Sequence, residues 1–256
     1  MTRVIKIGGR PQQDVALAAA LASHWASSRF SGGLVVVHGG GVEISELQAT
    51  LGGVPRFVNG RRATTERDIG VVRMALSGSA NKRLVSTLVD HGVDAVGLSG
   101  EDASLIGALP LSAAELGYVG VPKTINVILL RHLLGAGYLP VISPVSRDLS
   151  GTMGAALNVN GDDAAAAIAM ALQATELLLV TDVPGIMCDG ALVPRLRSDT
   201  AAQFIADRTI TGGMRAKVDA GLTAITGGVP RVRISDIESI GDRGRGTVLY
   251  AIGERS

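Results

Sequence analysis

The sequence predicts an α/β protein, a three-layer αβα sandwich around a mostly parallel central sheet. Three observations carry this. Short apolar runs rich in β-branched residues recur along the chain, and such runs without alternation belong to strands buried on both faces. Between them lie segments with apolar residues at helical spacing. Glycine, 34 of 256 residues, gathers where the two kinds of segment meet. Strands alternating with helices are the pattern of a parallel sheet covered by helices.

The elements follow in order. Arg3-Val4-Ile5-Lys6-Ile7 reads as a buried strand running into Gly8-Gly9. Pro11 opens a helix with Asp14 in its first turn, and Val15, Ala18, Ala19, Ala22 and Trp25 form its apolar stripe. Leu34–Val37 is a strand ending in His38-Gly39-Gly40-Gly41, and the helix after it stops at Gly52-Gly53. Thr65 to His91 reads as one long helix, with Thr65 as N-cap, Asp68 three residues on and Gly92 as the stop. Ala95–Leu98 is a strand, 101–120 is irregular and hairpin-like, and Pro122 opens a helix to about Leu134. Leu139–Ile142 is a strand, 146–158 (with Asp148, Gly151 and Gly154) a hairpin, Gly161–Leu172 a helix and Leu177–Val180 a strand. Helices at Thr200–Ala206 and Met214–Thr226 and strands at Arg231–Ile234 and Thr247–Ile252 complete the chain. There is no internal repeat. A change of character near residue 173 divides 1–172 from 173–256, with one continuous sheet running through both.

Composition excludes several classes. One cysteine, Cys188, forbids a disulfide scaffold and any Cys-based zinc site. A net charge of +1 speaks against nucleic-acid binding. No apolar run reaches the roughly 18 residues of a membrane span. Residues 1–10 lack the apolar core of a signal peptide. The expectation is a soluble cytoplasmic protein with no membrane or nucleic-acid partner. Only Lys6, Lys82, Lys123 and Lys217 are lysines among 24 basic residues. Where arginine supplies the general surface charge, a remaining lysine marks a place for a compact point charge.

Two strand ends run into glycine clusters, at Gly8-Gly9 and Gly39-Gly40-Gly41. Such turns are either simple strand-to-helix connections or places where backbone N–H groups approach an anion at a helix N-terminus. Lys6, inside Val-Ile-Lys-Ile, either faces solvent on an edge strand or is buried against an anionic partner. Asn160 or Gly161 suffices to cap the helix after Asn158-Val159-Asn160-Gly161-Asp162-Asp163. That leaves Asn158 and Asp162 unexplained, four residues apart and able to face one cavity. Lys217 falls early in a helix, where the dipole disfavours a cation unless something nearby requires it. Arg62 is either a surface arginine or a carboxylate ligand on a loop. There is no Gly-Lys dipeptide, hence no Walker A loop, and the dinucleotide pattern beginning at Gly39 fails at Ile44.

The ordered set Lys6-Ile7-Gly8-Gly9, Val37-His38-Gly39-Gly40-Gly41, Asn59-Gly60-Arg61-Arg62-Ala63-Thr64 and Gly78-Ser79-Ala80-Asn81-Lys82 resembles the N-terminal half of the amino-acid kinase superfamily. Within it, the set is similar to the N-acetylglutamate kinases. The likeness continues through Leu116–Gly120, Gly137–Ile142, Leu157–Asp162, Thr181–Ile186 and Gly213–Lys217, nearly the whole chain. Three positions depart from the usual pattern: Ala63, Glu101-Asp102-Ala103 and Thr211-Gly212-Gly213.

The resemblance implies transfer of the γ-phosphoryl of MgATP to the γ-carboxylate of N-acetyl-L-glutamate, giving an acyl phosphate in arginine biosynthesis. Lys6 and Lys217 would stabilise the transferring phosphoryl and Asp162 would hold both. Gly8, Gly9 and Gly40 would donate N–H groups to phosphate. Arg62 and Asn158 would bind the amino acid, with Gly40 and Gly41 near the attacked carboxylate. Thr181, Asp182, Val183, Pro184, Gly185 and Ile186, with Thr209, Ile210 and Thr211, would line the nucleotide site in the lobe 173–256. The lobe 1–172 would hold the amino acid. Mg²⁺ would ride on the ATP phosphates, with no protein metal ligand. The chain begins at its first strand, so the resemblance implies a homodimer insensitive to arginine. The rivals are a carrier-protein-linked aminoadipate or glutamate, or N-succinylglutamate, as acceptor, a nicotinamide-dependent reductase, and a non-catalytic amino-acid sensor. Arg56, Arg61 and Arg62 leave room for an acidic carrier.

Overall fold

The computed structural model describes residues 2–28, 32–58, 60–111, 114–151 and 155–251. Asn59, Gly154 and Ile252, named above, lie outside the described residues. The first half of the chain supplies β1 (Arg3–Ile7), α1 (Ala16–Ser28), β2 (Leu34–His38), α2 (Gly41–Thr50), the short hairpin β3 (Phe57–Val58) and β4 (Arg61–Arg62), α3 (Glu66–Val72), α4 (Asn81–Asp90) and β5 (Ala95–Gly100). A hairpin of β6 (Ile106–Pro110) and β7 (Val119–Ile125) follows, then α5 (Val127–Gly135), β8 (Leu139–Asp148), β9 (Ala156–Val159) and α6 (Gly161–Leu172). Beyond it come β10 (Glu176–Val180), β11 (Met187–Cys188), β12 (Ala191–Leu192), β13 (Arg195–Arg197), α7 (Ser198–Ala206), α8 (Gly212–Thr226), β14 (Val232–Ser235) and β15 (Thr247–Tyr250).

Eleven of these strands form one mixed sheet, in the order β13-β15-β14-β10-β1-β2-β8-β6-β7-β9, with β5 also on β8. β1 pairs in parallel with β10 on one side and β2 on the other, so Lys6 stands on a central strand, which removes the edge-strand alternative. Helices cover both faces, and successive residues of one strand face different cores. Val4, Val35 and Leu179 pack with Ile168 of α6 and Val218 of α8. Ile5, Val36 and Leu178 pack with Leu21 and Trp25 of α1 and Leu88 of α4.

Local signals explain most boundaries. Thr65 and Asp68 form a reciprocal capping box at the start of α3. Gly52, at φ +77°, ends α2, and the Gly53 N–H closes on Gln48 O at 2.8 Å. Several expectations need correction. The Pro11 segment is a 3₁₀ turn (Arg10–Gln13), and α1 starts at Ala16, whose N–H bonds Asp14 Oδ1 at 2.8 Å. Val15 consequently lies outside the helix at 93% exposure, and the buried stripe is Leu17, Ala18, Leu21 and Trp25. Pro122 does not open a helix. It lies in β7 opposite Ala108, next to a register shift, and the true N-cap is Asn126, whose side chain accepts from Leu129 N. Lys123 therefore belongs to a strand rather than a helix. The long helix holds its course from Glu66 to Asp90 but widens to π geometry over Arg73–Ala80.

Candidate active site

The carboxyl ends of β1 and β2 carry the two glycine turns, which lie against each other. The Gly39 N–H bonds Ile7 O at 3.0 Å and the Gly8 N–H bonds Val180 O at 3.2 Å. Gln12 ties the turns together, donating from Nε2 to Gly8 O at 3.2 Å and to Gly39 O at 2.8 Å. A Cβ on Gly40 would stand 2.5 Å from Leu76 Cδ2 of the π-helical segment, so a side chain there would have to displace Leu76. Beneath it the His38 ring is fully buried and donates from Nδ1 to Gly39 O, 2.8 Å away. Nε2 accepts from Asn81 Nδ2 at 3.0 Å. Burial, against the pull of that backbone bond, lowers the His38 pKa to about 4, so the ring is neutral.

Asp162 stands at the start of α6, where Asn160 caps the helix by accepting from Asp162 N at 2.7 Å. Its carboxylate is shared. Oδ1 lies 2.9 Å from Lys6 Nζ and Oδ2 lies 3.5 Å from Lys217 Nζ. All three side chains are buried or nearly so. A Cβ on Gly161 would come within 3.2 Å of Lys6 Cε, so a side chain there would have to push the lysine stem aside by a few tenths of an ångström. Burial pushes the Asp162 carboxyl up, and the ammonium groups of Lys6 and Lys217 more than reverse this, holding it below the usual carboxylate range. Burial, and then Lys6, push the Lys217 pKa down, while Asp162 opposes them. One carboxylate thus holds two cations in place from strand β1 and helix α8.

A cleft of about 570 Å³ opens beside this group, walled by Lys6, Gly9, Gly39–Gly41, Arg62, Asn158 and Asp162. Asn158 and Asp162 do face one cavity. Arg62 Nη2 donates to Gly41 O at 2.8 Å and to Ser45 Oγ at 2.7 Å, and the guanidinium lies 4.7 Å over the Phe57 ring. Thr64 joins the two predicted amino-acid ligands: its hydroxyl donates to Arg62 O at 3.0 Å and accepts from Asn158 Nδ2 at 2.9 Å. Ser45 and Gln12 escaped the sequence reading, and Thr64 entered it only as the end of a motif with no role of its own, because a lone polar residue has no spacing that marks it.

The segments 181–186 and 209–211 do not wall that cleft. The first is a folded loop held to the β14–β15 edge. Thr181 N–H bonds Ser235 O at 2.8 Å, Pro184 O accepts from Ser235 Oγ at 3.2 Å and Ile186 N–H bonds Thr247 Oγ1 at 2.8 Å. Asp182 pairs with Arg10 at 2.8 Å at the rim of the cleft. Ile186 and Ile210 have their side chains in the core and offer a ligand only backbone. Thr209 bonds Asp207, and Thr211 precedes α8 without capping it through its side chain. Gly212 and Gly213 begin α8 with no acidic residue in the first turn, beside a second cavity that also touches Asn160 and Asp163. An uncapped helix start with Lys217 on the same helix suits phosphate. Among the described residues no group of three or more His, Cys, Asp or Glu is placed to hold a metal ion, and no helix is long and apolar enough to cross a membrane.

The model of the amino acid kinase family matches residues 1–236. The chain belongs to the amino acid kinase family. Among family members, it is 46% identical over 233 residues to the acetylglutamate kinase of Geobacillus stearothermophilus, covering 91% of this chain and 89% of the relative. It is 42% identical over 255 residues to the acetylglutamate kinase of Roseiflexus castenholzii, covering 99% and 95%. Among solved structures, smu.665 from Streptococcus mutans superposes with a TM-score of 0.86 at 28% identity, covering 97% of this chain and 98% of that one. Carbamate kinase from Giardia lamblia bound to AMP-PNP, at 14% identity, shares the fold with a TM-score of 0.71 over 98% of each chain.

Proposed function

We propose that this chain is an ATP-dependent acetylglutamate kinase that phosphorylates the γ-carboxylate of N-acetyl-L-glutamate in arginine biosynthesis. The observation that carries the reading is Asp162 gripping Lys6 and Lys217 beside a cleft that Arg62 also lines. The high identity to acetylglutamate kinases over nine-tenths of the chain supports it. Residues 1–172 form the amino-acid lobe and residues 173–256 the nucleotide lobe, on one three-layer αβα frame. The enzyme works in the cytoplasm as a homodimer.

In this reading Arg62 and Asn158 hold the α-carboxylate and set the side chain toward Gly40 and Gly41. A γ-carboxylate oxygen attacks the γ-phosphorus of ATP, the bond from that phosphorus to the β,γ-bridging oxygen breaks, and ADP leaves. The nucleophile is already ionised at pH 7, so no general base is needed. Catalysis is positioning and fixed positive charge, which Lys6 and Lys217 provide where negative charge accumulates. The N–H groups of Gly9 and Gly40 and the start of α8 meet the phosphates; the Gly8 N–H, expected to join them, is instead held by Val180 O, so Gly8 serves the nucleotide as a tight turn and not as a donor. Thr181, Asp182, Val183, Pro184, Gly185 and Ile186, with Thr209, Ile210 and Thr211, line the nucleotide. Mg²⁺ would come bound to the ATP phosphates, with no ligand from this chain, and would supply charge neutralisation there.

A small acyl group fits better than an acidic carrier protein. The arginines at the entrance already have partners: Arg61 pairs with Asp163 at 2.8 Å, and Arg56 donates to Glu115 O. The test is a coupled ADP-release assay over a panel of N-acyl amino acids, with hydroxylamine trapping of the acyl phosphate. Release with N-acetyl-L-glutamate and a trapped hydroxamate supports the proposal. No ADP release with any carboxylate overturns it.

A further inference from the structure

We propose that Gln48 is a positioning residue for substrate recognition: it fastens the guanidinium of Arg62 to the capping box that begins α3. The inference rests on the reading of Arg62 as ligand of the substrate carboxylate.

Gln48 is 4% exposed and occupies the buried face of α2 together with Ile44, four residues earlier, where an apolar residue would be expected. Both ends of its amide are engaged. Oε1 accepts from Arg62 Nη1 at 3.1 Å and Nε2 donates to Asp68 Oδ1 at 2.9 Å. Only this orientation satisfies both partners, because a guanidinium offers donors alone and a carboxylate acceptors alone. Asp68 in turn accepts through Oδ2 from Thr65 N at 3.0 Å and Thr65 Oγ1 at 2.7 Å. The chain Arg62–Gln48–Asp68–Thr65 therefore ends at a helix N-terminus, whose partial positive charge favours the Asp68 anion.

The stem of Gln48 is also confined. The Gly53 N–H bonds its backbone carbonyl, and a Cβ on Gly53 would lie 2.8 Å from Gln48 Cγ. With Gly41 O and Ser45 Oγ on Nη2, Gln48 on Nη1 and Phe57 under one face, the fork has one orientation. Among the described residues, Nε–H and the second Nη1 hydrogen have no hydrogen-bond partner, and Arg62 lines the cleft. Without Gln48, ordering the guanidinium falls to the substrate, and affinity for the amino acid drops.

The experiment is steady-state kinetics of Gln48→Met, which keeps the length of the side chain and removes its polar atoms. The bond lost is one to a charged group, so KM for N-acetyl-L-glutamate is expected to rise roughly tenfold. KM for ATP and kcat should stay within about twofold, as fits a loss confined to binding. Asp68→Asn, which weakens the same chain one link away, should give a smaller rise in the same constant. The double variant Gln48→Met/Arg62→Ala should be no worse than Arg62→Ala alone. An unchanged KM in Gln48→Met while Arg62→Ala raises it removes Gln48 from recognition. A fall in kcat with both KM values raised and a lower Tm also overturns the proposal, since that is a purely structural effect. If Arg62→Ala itself leaves KM for the amino acid unchanged, the underlying reading of the cleft fails instead.

Discussion

Replacing Asp162 by asparagine keeps the shape of the side chain and removes the charge that Lys6 and Lys217 share. At 2.9 and 3.5 Å, and an effective dielectric of about 20, each ammonium–carboxylate attraction is worth about 5 kcal/mol. Without it two buried ammonium groups repel each other with no counter-ion, and the cheaper outcome is loss of one proton. Lys217 is the group that yields, because burial and Lys6 already lower its pKa and Asp162 was raising it. A phosphoryl transfer that loses one fixed positive charge should slow by roughly 10²–10³ in kcat. The pH profile separates this from general damage. Activity requires protonated Lys217, so it falls as pH rises through the Lys217 pKa, and in Asp162→Asn that fall must move to lower pH. The assay is kcat by coupled ADP release between pH 6 and pH 10, with thermal melting as a control on folding. A variant with kcat within about threefold of the parent and an unmoved alkaline limb would refute the shared-carboxylate mechanism.

Three further outcomes follow from the same geometry. His38 is held near pKa 4 in the fold against 6.5 unfolded, so the stability it contributes is full above pH 6.5 and is lost as pH falls toward 4. That amounts to about 3 kcal/mol. Urea unfolding at pH 7 and pH 4.5 should show a smaller difference in His38→Gln, and equal differences would exclude the histidine as the cause. Glu176 is buried and lies 2.7 Å from Arg3 and 2.6 Å from Arg233. Glu176→Gln strands both arginines at a cost of about 3–5 kcal/mol, so Tm should fall by roughly 10 °C. A melting curve unchanged within error would mean that neighbouring carbonyls suffice. Gly117 has φ +65°, and a Cβ there would collide with the carbonyl oxygen of Thr64. Gly117→Ala should therefore disturb the Thr64 bridge and raise KM for N-acetyl-L-glutamate more than KM for ATP. Parallel changes in the two constants would count against the bridge.

Much of the site could be read without coordinates because its chemistry uses unusual residues in unusual places. Lys6 in an apolar strand, glycines at two strand ends and a polar helix start at Asn158–Asp163 each conflict with ordinary packing. That conflict is visible in one dimension. Gln48 and Thr64 could not be read in the same way. Each is an unremarkable polar residue whose partner lies on another element, such as Arg62 on β4 for a glutamine on α2.

What the sequence by itself determined is the order of strands and helices and the turns between them. Hydrophobic periodicity, caps and glycine are local properties. Where local rules misled, a longer-range contact had decided. Pro122 signals a helix start, yet it is recruited into β7 by pairing with β6, and the helix waits for the Asn126 cap. Val15 fits the apolar spacing, yet Asp14 and the 3₁₀ turn before it delay the helix and leave Val15 in solvent. Only the tertiary structure decided that Lys6 is central and that Lys217, 211 residues away in sequence, reaches the same carboxylate. Those facts depend on strand order and on helix packing across the sheet, and no local pattern of residues encodes which strand lies beside which.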